Sequence, residues 1–115
     1  MKFKKLLTSY ADGCSFTKKG LNYAPTQFKS GYFVAITDNQ IDPKHAQKEL
    51  ANLDKLAKSL NLKQYFYGWW LDKKTNKGYL DLSLHIESKA EALSIAQLFN
   101  QKAVFDCANL DSIYI

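Results

Sequence analysis

The sequence predicts an α+β fold, on three observations. An apolar stripe at helical spacing runs through 46–60, two β-prone runs flank a polar turn, and a second capped helical segment opens at Ser88. Taken in chain order, 2–10 reads as a strand and 21–28 as a second extended piece, with Gly13, Gly20 and Pro25 excluding a long helix between them. Residues 32–37 are β-branched and aromatic and end at the turn-forming Asp38-Asn39, a strand. Asp42-Pro43 is a helix start, since Asp accepts from free backbone N–H groups and Pro loses nothing at the first helical position. Ala46, Leu50, Leu53, Ala57 and Leu60 then form the stripe, Lys44, Lys48, Lys55 and Lys58 fall off it, and Asn61 ends the helix.

The runs 64–72 (QYFYGWWLD) and 79–86 (YLDLSLHI), joined by a polar turn over 73–78, predict a β-hairpin. Ser88 and Glu91 make a capping box for a helix whose inner stripe is Leu93, Ala96 and Phe99, with Ala92 and Ile95 beside it. Asn100-Gln101 closes that helix, 103–106 is a short strand, Asp106 caps the following turn, and 112–115 is one more edge strand. The order is the ferredoxin-like βαββαβ arrangement, an antiparallel sheet with two helices on one face. To it is added an N-terminal β extension: 1–31 is a basic segment packed on the domain, and 32–115 is the βαββαβ domain.

Composition narrows the function classes. At 115 residues, 46% hydrophobic and 23% charged, the chain buries a core without staples. No apolar run approaches the roughly 18 residues that span a bilayer. The basic start lacks an apolar region behind it, so a cytoplasmic location is expected and no membrane partner. Cys14 and Cys107 belong to no paired motif and are expected as reduced thiols. The net charge of +5 is uneven. Lys2, Lys4, Lys5, Lys18, Lys19 and Lys29 face one acid, Asp12, within 1–31, whereas 32–115 is neutral.

The hairpin identifies a candidate surface. Placing Asp72 opposite Tyr79 pairs Trp70 with Asp81, Gly68 with Ser83 and Phe66 with His85. Leu80, Leu82, Leu84 and Ile86 then share a face with Leu71, Trp69, Tyr67 and Tyr65, and that face is the core. The other face carries Phe66, Trp70, Tyr79, Asp81 and His85. Three readings compete for it: burial under 1–31, a protein-binding patch, or a stacking platform for bases. The run 29–36 resembles the aromatic RNP1 motif of RNA-recognition sheets but lacks its internal small residue and lies in the first strand of the unit. The chain has no Arg, the residue suited to bidentate guanine recognition. Its lysines still neutralise phosphates, leaving weak, salt-sensitive binding as the alternative.

Enzymatic signatures are missing. His45 and His85 have no ligand spacing around them, so no metal is expected. Asp81 and His85 lie about 13 Å apart along one strand, too far for an acid–base pair. Cys107 has no histidine base, and no phosphate loop, nucleophile elbow or dinucleotide fingerprint is present, so neither catalysis nor a cofactor is expected.

Gly68-Trp69-Trp70-Leu71-Asp72, the run 78–83 (GYLDLS), Ala92 with Ala96, and the run 99–106 (FNQKAVFD) together resemble small proteins of bacteriophages and other mobile elements. In these a G-W-x-D … Y-L-D-x-S hairpin precedes a helix ending in F-N-Q-x-A-x-x-D. The resemblance covers 66–106 and carries no site residue. It implies an accessory gene product active in a bacterial cytoplasm. The expectation is a non-enzymatic protein that contacts a host factor, as an inhibitor of a defence system would, and exists as a monomer or homodimer. A DNA mimic would be acidic, and this chain is basic.

Overall fold

The structure, a computed structural model, describes residues 1–10, 13–37 and 40–115. It is a mixed α+β arrangement in which three helices accompany an antiparallel sheet of eight strands, more than the sequence led us to expect.

The N-terminal segment departs most from expectation. Residues 2–10 are not a strand: Phe3–Ser9 is a helix, α1. Phe3, Leu6 and Leu7 fall at i, i+3 and i+4, so a helix gathers them on one side, and Phe3 and Leu6 are buried. Phe3 packs on Phe16 and Tyr23, with ring centroids 5.8 and 5.2 Å away. Cys14–Lys19 (β1) and Asn22–Pro25 (β2) form a hairpin, Gly20 turning the chain at φ 61°. β1 then pairs with the edge of Phe66–Asp72 (β5), setting Ser15 opposite Gly68.

Tyr32–Ala35 (β3) forms as expected, and the Asp38-Asn39 turn lies outside the described residues. Gln40–Ile41 (β4) makes a short pairing with Tyr79 and Gly78 that no sequence pattern announced. Asp42 caps as predicted, accepting from the Lys44 N–H at 3.1 Å, but it opens a 3-10 turn over Pro43–His45 before the helix Ala46–Ser59 (α2). Ala46, Leu50, Leu53 and Ala57 are buried on its inner side. Leu60, expected to extend the stripe, is 50% exposed because the helix has already ended there. Asn61 adopts φ 55°, and the Leu62 N–H bonds back to the Ala57 carbonyl.

β5 and Lys77–Ile86 (β6) form the predicted hairpin with its register shifted by two residues. Trp70 lies opposite Tyr79, Gly68 opposite Asp81, and Phe66 opposite Ser83. Asn76, at φ 55°, closes the turn early enough for Lys77 and Gly78 to join the strand. A shift of two leaves every side chain on its expected face. Tyr67, Trp69, Leu80 and Leu82 are buried with α1 and α2, and Leu84 is partly buried against the same core.

Ser88 caps the helix Lys89–Leu98 (α3), accepting from the Glu91 N–H at 3.3 Å. Its inner stripe is Ala92 and Ala96, packed against Val34 and Val104, with Leu93 and Ile95 partly buried beside them. Phe99 does not pack beneath the helix: it is the C-cap residue and is 41% exposed. Asn100, at φ 57°, ends the helix, and Ala103–Asp106 (β7) and Asp111–Tyr114 (β8) complete the sheet. The strand order is β2-β1-β5-β6-β3-β7-β8, with β4 also on β6. No helix among the described residues is long and apolar enough to cross a membrane.

Candidate binding face

The sheet face turned away from the helices is formed by alternate residues of β5, β6, β3 and β7. All five residues singled out in the sequence lie on it, but they divide into two groups. Phe66 and His85 are covered. Phe28, in the loop before β3, lies over them: its ring is stacked on His85 with centroids 3.8 Å apart and packs edge-on against Phe66 at 5.3 Å and Phe33 at 5.6 Å. The His85 Nε2 lies 2.8 Å from the Ser30 carbonyl, an oxygen that only accepts, so Nε2 carries a proton and donates. Ser30 in turn donates to Glu87 at 3.1 Å. Gly31, at φ 81°, sits so near the imidazole that a Cβ there would lie 2.5 Å from Nε2. Phe66 is consequently buried at 4% exposure, in a small cluster with Phe33 and Cys107. In this half of the face, Phe28 is the N-terminal residue that packs on the rings.

Trp70, Tyr79 and Asp81 form the other group, and they line an open trough of about 900 Å³. Trp70 is 49% exposed, and its ring rests against Tyr79 with centroids 5.1 Å apart and planes inclined at 32°. Asp81 follows Tyr79 by two residues on β6 and therefore points the same way. Its partner across the ladder is Gly68, which has no side chain to occupy the space. A Cβ on Gly68 would lie 2.6 Å from the Asp81 Oδ1. The same oxygen accepts from the Ser83 hydroxyl at 2.8 Å. The carboxylate thus lies across the floor of the trough with an aromatic wall beside it. Phe105, Leu110 and Tyr114, from the β7–β8 hairpin, line it as well. Sequence reasoning did not select these three; the alternation of Val104 inward and Phe105 outward was the available signal.

The basic residues lie elsewhere. Lys2, Lys4 and Lys5 are on α1, Lys18 and Lys19 on β1, and Lys29 follows Phe28. None of the six lines the trough. Lys2, Lys4 and Lys18 instead border a separate depression of about 390 Å³ against α2. Among the described residues, Asp81 is the one trough residue formally charged at neutral pH.

A second polar cluster joins α2 to the sheet. Asp54, with a side chain 15% exposed, accepts from the Tyr65 and Tyr67 hydroxyls at 3.1 and 3.0 Å and pairs with Lys58 at 3.0 Å and Lys18 at 3.9 Å. Burial works to raise its carboxyl, but hydrogen bonds from Lys58, Tyr67 and Tyr65, with the Lys18 charge, outweigh that and hold it below the ordinary value. Desolvation, then the hydrogen bond to Asp54, push the Tyr67 hydroxyl well above the usual tyrosine range. Each member already has its partners within the cluster, so its role is to fix α2 on β5 and β1.

Comparison of the chain with protein-family models, curated proteins and solved structures finds no match. The functional reading therefore rests on the geometry. Among the described residues, no His, Cys, Asp and Glu side chains gather in a way that would hold a metal ion. Cys14 and Cys107 are both free thiols, and they lie in different clusters, Cys14 against the helical core and Cys107 with Phe33 and Phe66. His45 is exposed in the turn before α2.

Proposed function

We propose that this chain is a non-enzymatic binding protein that engages a protein partner through the trough beside Trp70 and Tyr79. The observation that carries the proposal is the half-exposed Trp70, held against Tyr79 at the edge of a concavity on the sheet face that no helix covers. Trp and Tyr anchor protein interfaces disproportionately because they bring large rigid area at low entropic cost. The strand succession β7-β3-β6-β5, with each neighbour antiparallel, supports a ferredoxin-like reading of the central unit, extended by β1 and β2. The resemblance of 66–106 to phage and mobile-element proteins supports a host factor as the partner, met in the bacterial cytoplasm.

The alternative, nucleic-acid binding through the sheet face, lacks phosphate-neutralising groups there, since no lysine lines the trough. Lys2, Lys4 and Lys18 favour weak polyanion contact at the separate depression instead. One experiment separates the two. The chain, its Trp70→Ala variant and its Lys2→Gln/Lys4→Gln/Lys18→Gln variant are immobilised and exposed to bacterial lysate with and without nuclease. Protein capture that survives nuclease and disappears with Trp70→Ala supports the proposal. Capture abolished by nuclease and by the lysine changes would overturn it.

A further inference from the structure

We propose that the trough is built to receive a cationic side chain, an arginine or lysine presented by the protein partner, with Asp81 as counter-ion and the Trp70–Tyr79 pair as the surface it lies on. This rests on the protein-binding reading above and specifies what the partner must present.

Three features carry it. The first is charge. The protein carries a net charge of +5, yet none of its sixteen lysines borders this concavity, and among the described residues the single formal charge lining it is negative. A cationic group entering here meets a carboxylate with no lysine along the lining to compete with it.

The second is the placing of the carboxylate. Asp81 is held on the floor by the Ser83 hydroxyl at 2.8 Å and lies over the bare backbone of Gly68, where any side chain would displace it. That space costs the strand something, because glycine weakens a β-strand by leaving nothing to pack and by its backbone entropy. Filling the gap with alanine would recover that loss at the expense of the carboxylate position.

The third is the aromatic pair. Trp70 lies diagonally across the ladder from Asp81, and Tyr79 stands two residues before it, so the rings and the acid are contiguous on one face. The face of an indole or phenol ring attracts a cation through its quadrupole, and a planar guanidinium also stacks on it. A carboxylate and two rings around one opening bind a cation in two ways at once. An apolar anchor would gain from the rings and lose by desolvating the acid.

The test uses the ¹⁵N-labelled full chain and three capped tripeptides, Gly-Arg-Gly, Gly-citrulline-Gly and Gly-Glu-Gly, at physiological salt, with Gly-Lys-Gly as a fourth arm. The Arg peptide is expected to give a saturable shift of the Trp70 indole N–H and the Asp81 amide, leaving Trp69 unmoved. The isosteric, uncharged citrulline peptide should bind at least about tenfold more weakly and the Glu peptide not at all. Asp81→Asn preserves an acceptor for Ser83 and removes the charge, so it should erase the difference between Arg and citrulline. Gly68→Ala, if folded, should weaken the Arg peptide while retaining ring contact. Equal binding of Arg and citrulline peptides, no saturable shift with Arg or Lys peptides, or an Asp81→Asn variant that still discriminates would each overturn the inference. Lysate capture that depends on Trp70 but is indifferent to Asp81→Asn would overturn it too, while leaving the protein-binding reading intact. Capture lost with neither variant would remove both.

Discussion

Phe28 and His85 lie face to face, ring centroids 3.8 Å apart and planes inclined by 15°, although about half of the chain separates the loop and the strand that carry them. Together with the His85 to Ser30 hydrogen bond, this stack fastens residues 28–31 over Phe66 and Phe33. Phe28→Ala is therefore expected to uncover a hydrophobic cluster that is sealed in the native protein. A loss of about 1–3 kcal/mol is predicted, below the figure for a fully buried ring because Phe28 is only partly buried. Urea unfolding measures the loss, and increased binding of a hydrophobic dye by the folded variant would show the uncovering.

Gly78 and Trp69 make a second close relationship, on the core side. A Cβ on Gly78 would lie 2.5 Å from the Trp69 ring, which is buried and has little room to yield. Gly78→Ala is expected to destabilise the protein by about 1–3 kcal/mol through overpacking. Gly20→Ala meets nothing within 4 Å, yet its φ of 61° strains an alanine by about 1–2 kcal/mol. Pairing Gly78→Ala with Trp69→Phe should relieve only the first variant, a coupling that a double-mutant cycle by thermal unfolding detects.

Stability should depend on pH through Asp54 and Tyr67. The Asp54 carboxyl is held below its ordinary value in the folded state. Its contribution is thus complete above the unfolded value of about 3.9 and is lost as the pH falls through the folded value. The stability gap between the wild type and Asp54→Asn should be widest near neutrality and close in acid. Tyr67 acts in the opposite sense. Its folded value is raised, so its contribution is complete below the unfolded value of about 10 and is lost as the pH rises beyond it. Unfolding curves across the pH range test both limbs, and a gap that widened in acid would contradict the assignment.

The two thiols should react slowly. Burial pushes Cys14 up to about 11, and burial with the neighbouring Asp106 charge raises Cys107. At pH 8 both are almost wholly protonated, and the thiolate is the reacting species. A disulfide reagent should label the native protein at least about tenfold more slowly than the denatured chain. Fast labelling of either cysteine in the folded state would show that its surroundings are looser than described.

What was legible in the sequence, and what was not, follows from the range of the interactions involved. The faces of the β5–β6 hairpin could be read because alternation is a local pattern, and Leu80 and Leu82 did go to the core. Its register could not, because a shift of two residues preserves alternation; the left-handed Asn76 decided it. Helix α1 was missed because a single short apolar triplet, Phe3, Leu6 and Leu7, among lysines is compatible with either period. Phe99 was placed inside by its spacing, yet the helix ends at that residue. The cover over Phe66 and His85 had no sequence signal, since it is made by Phe28 across the fold, and the Asp54 cluster likewise draws on β1, α2 and β5. The candidate site is thus half visible in the sequence: strand alternation selects Trp70, Tyr79 and Asp81, whereas Phe105, Leu110 and Tyr114 are supplied by the return of the β7–β8 hairpin.

Trp69 and Trp70 are adjacent in sequence and face opposite sides of the sheet, the first at 4% exposure and the second half in solvent. This gives the protein two optical channels without any added label. Emission from Trp69 should be blue-shifted and shielded from iodide, reporting only on loss of the fold. Emission from Trp70 should be red-shifted and readily quenched, and it should become protected when a partner occupies the neighbouring surface. Single Trp→Phe variants separate the channels, so that unfolding and occupancy can be followed independently in one sample.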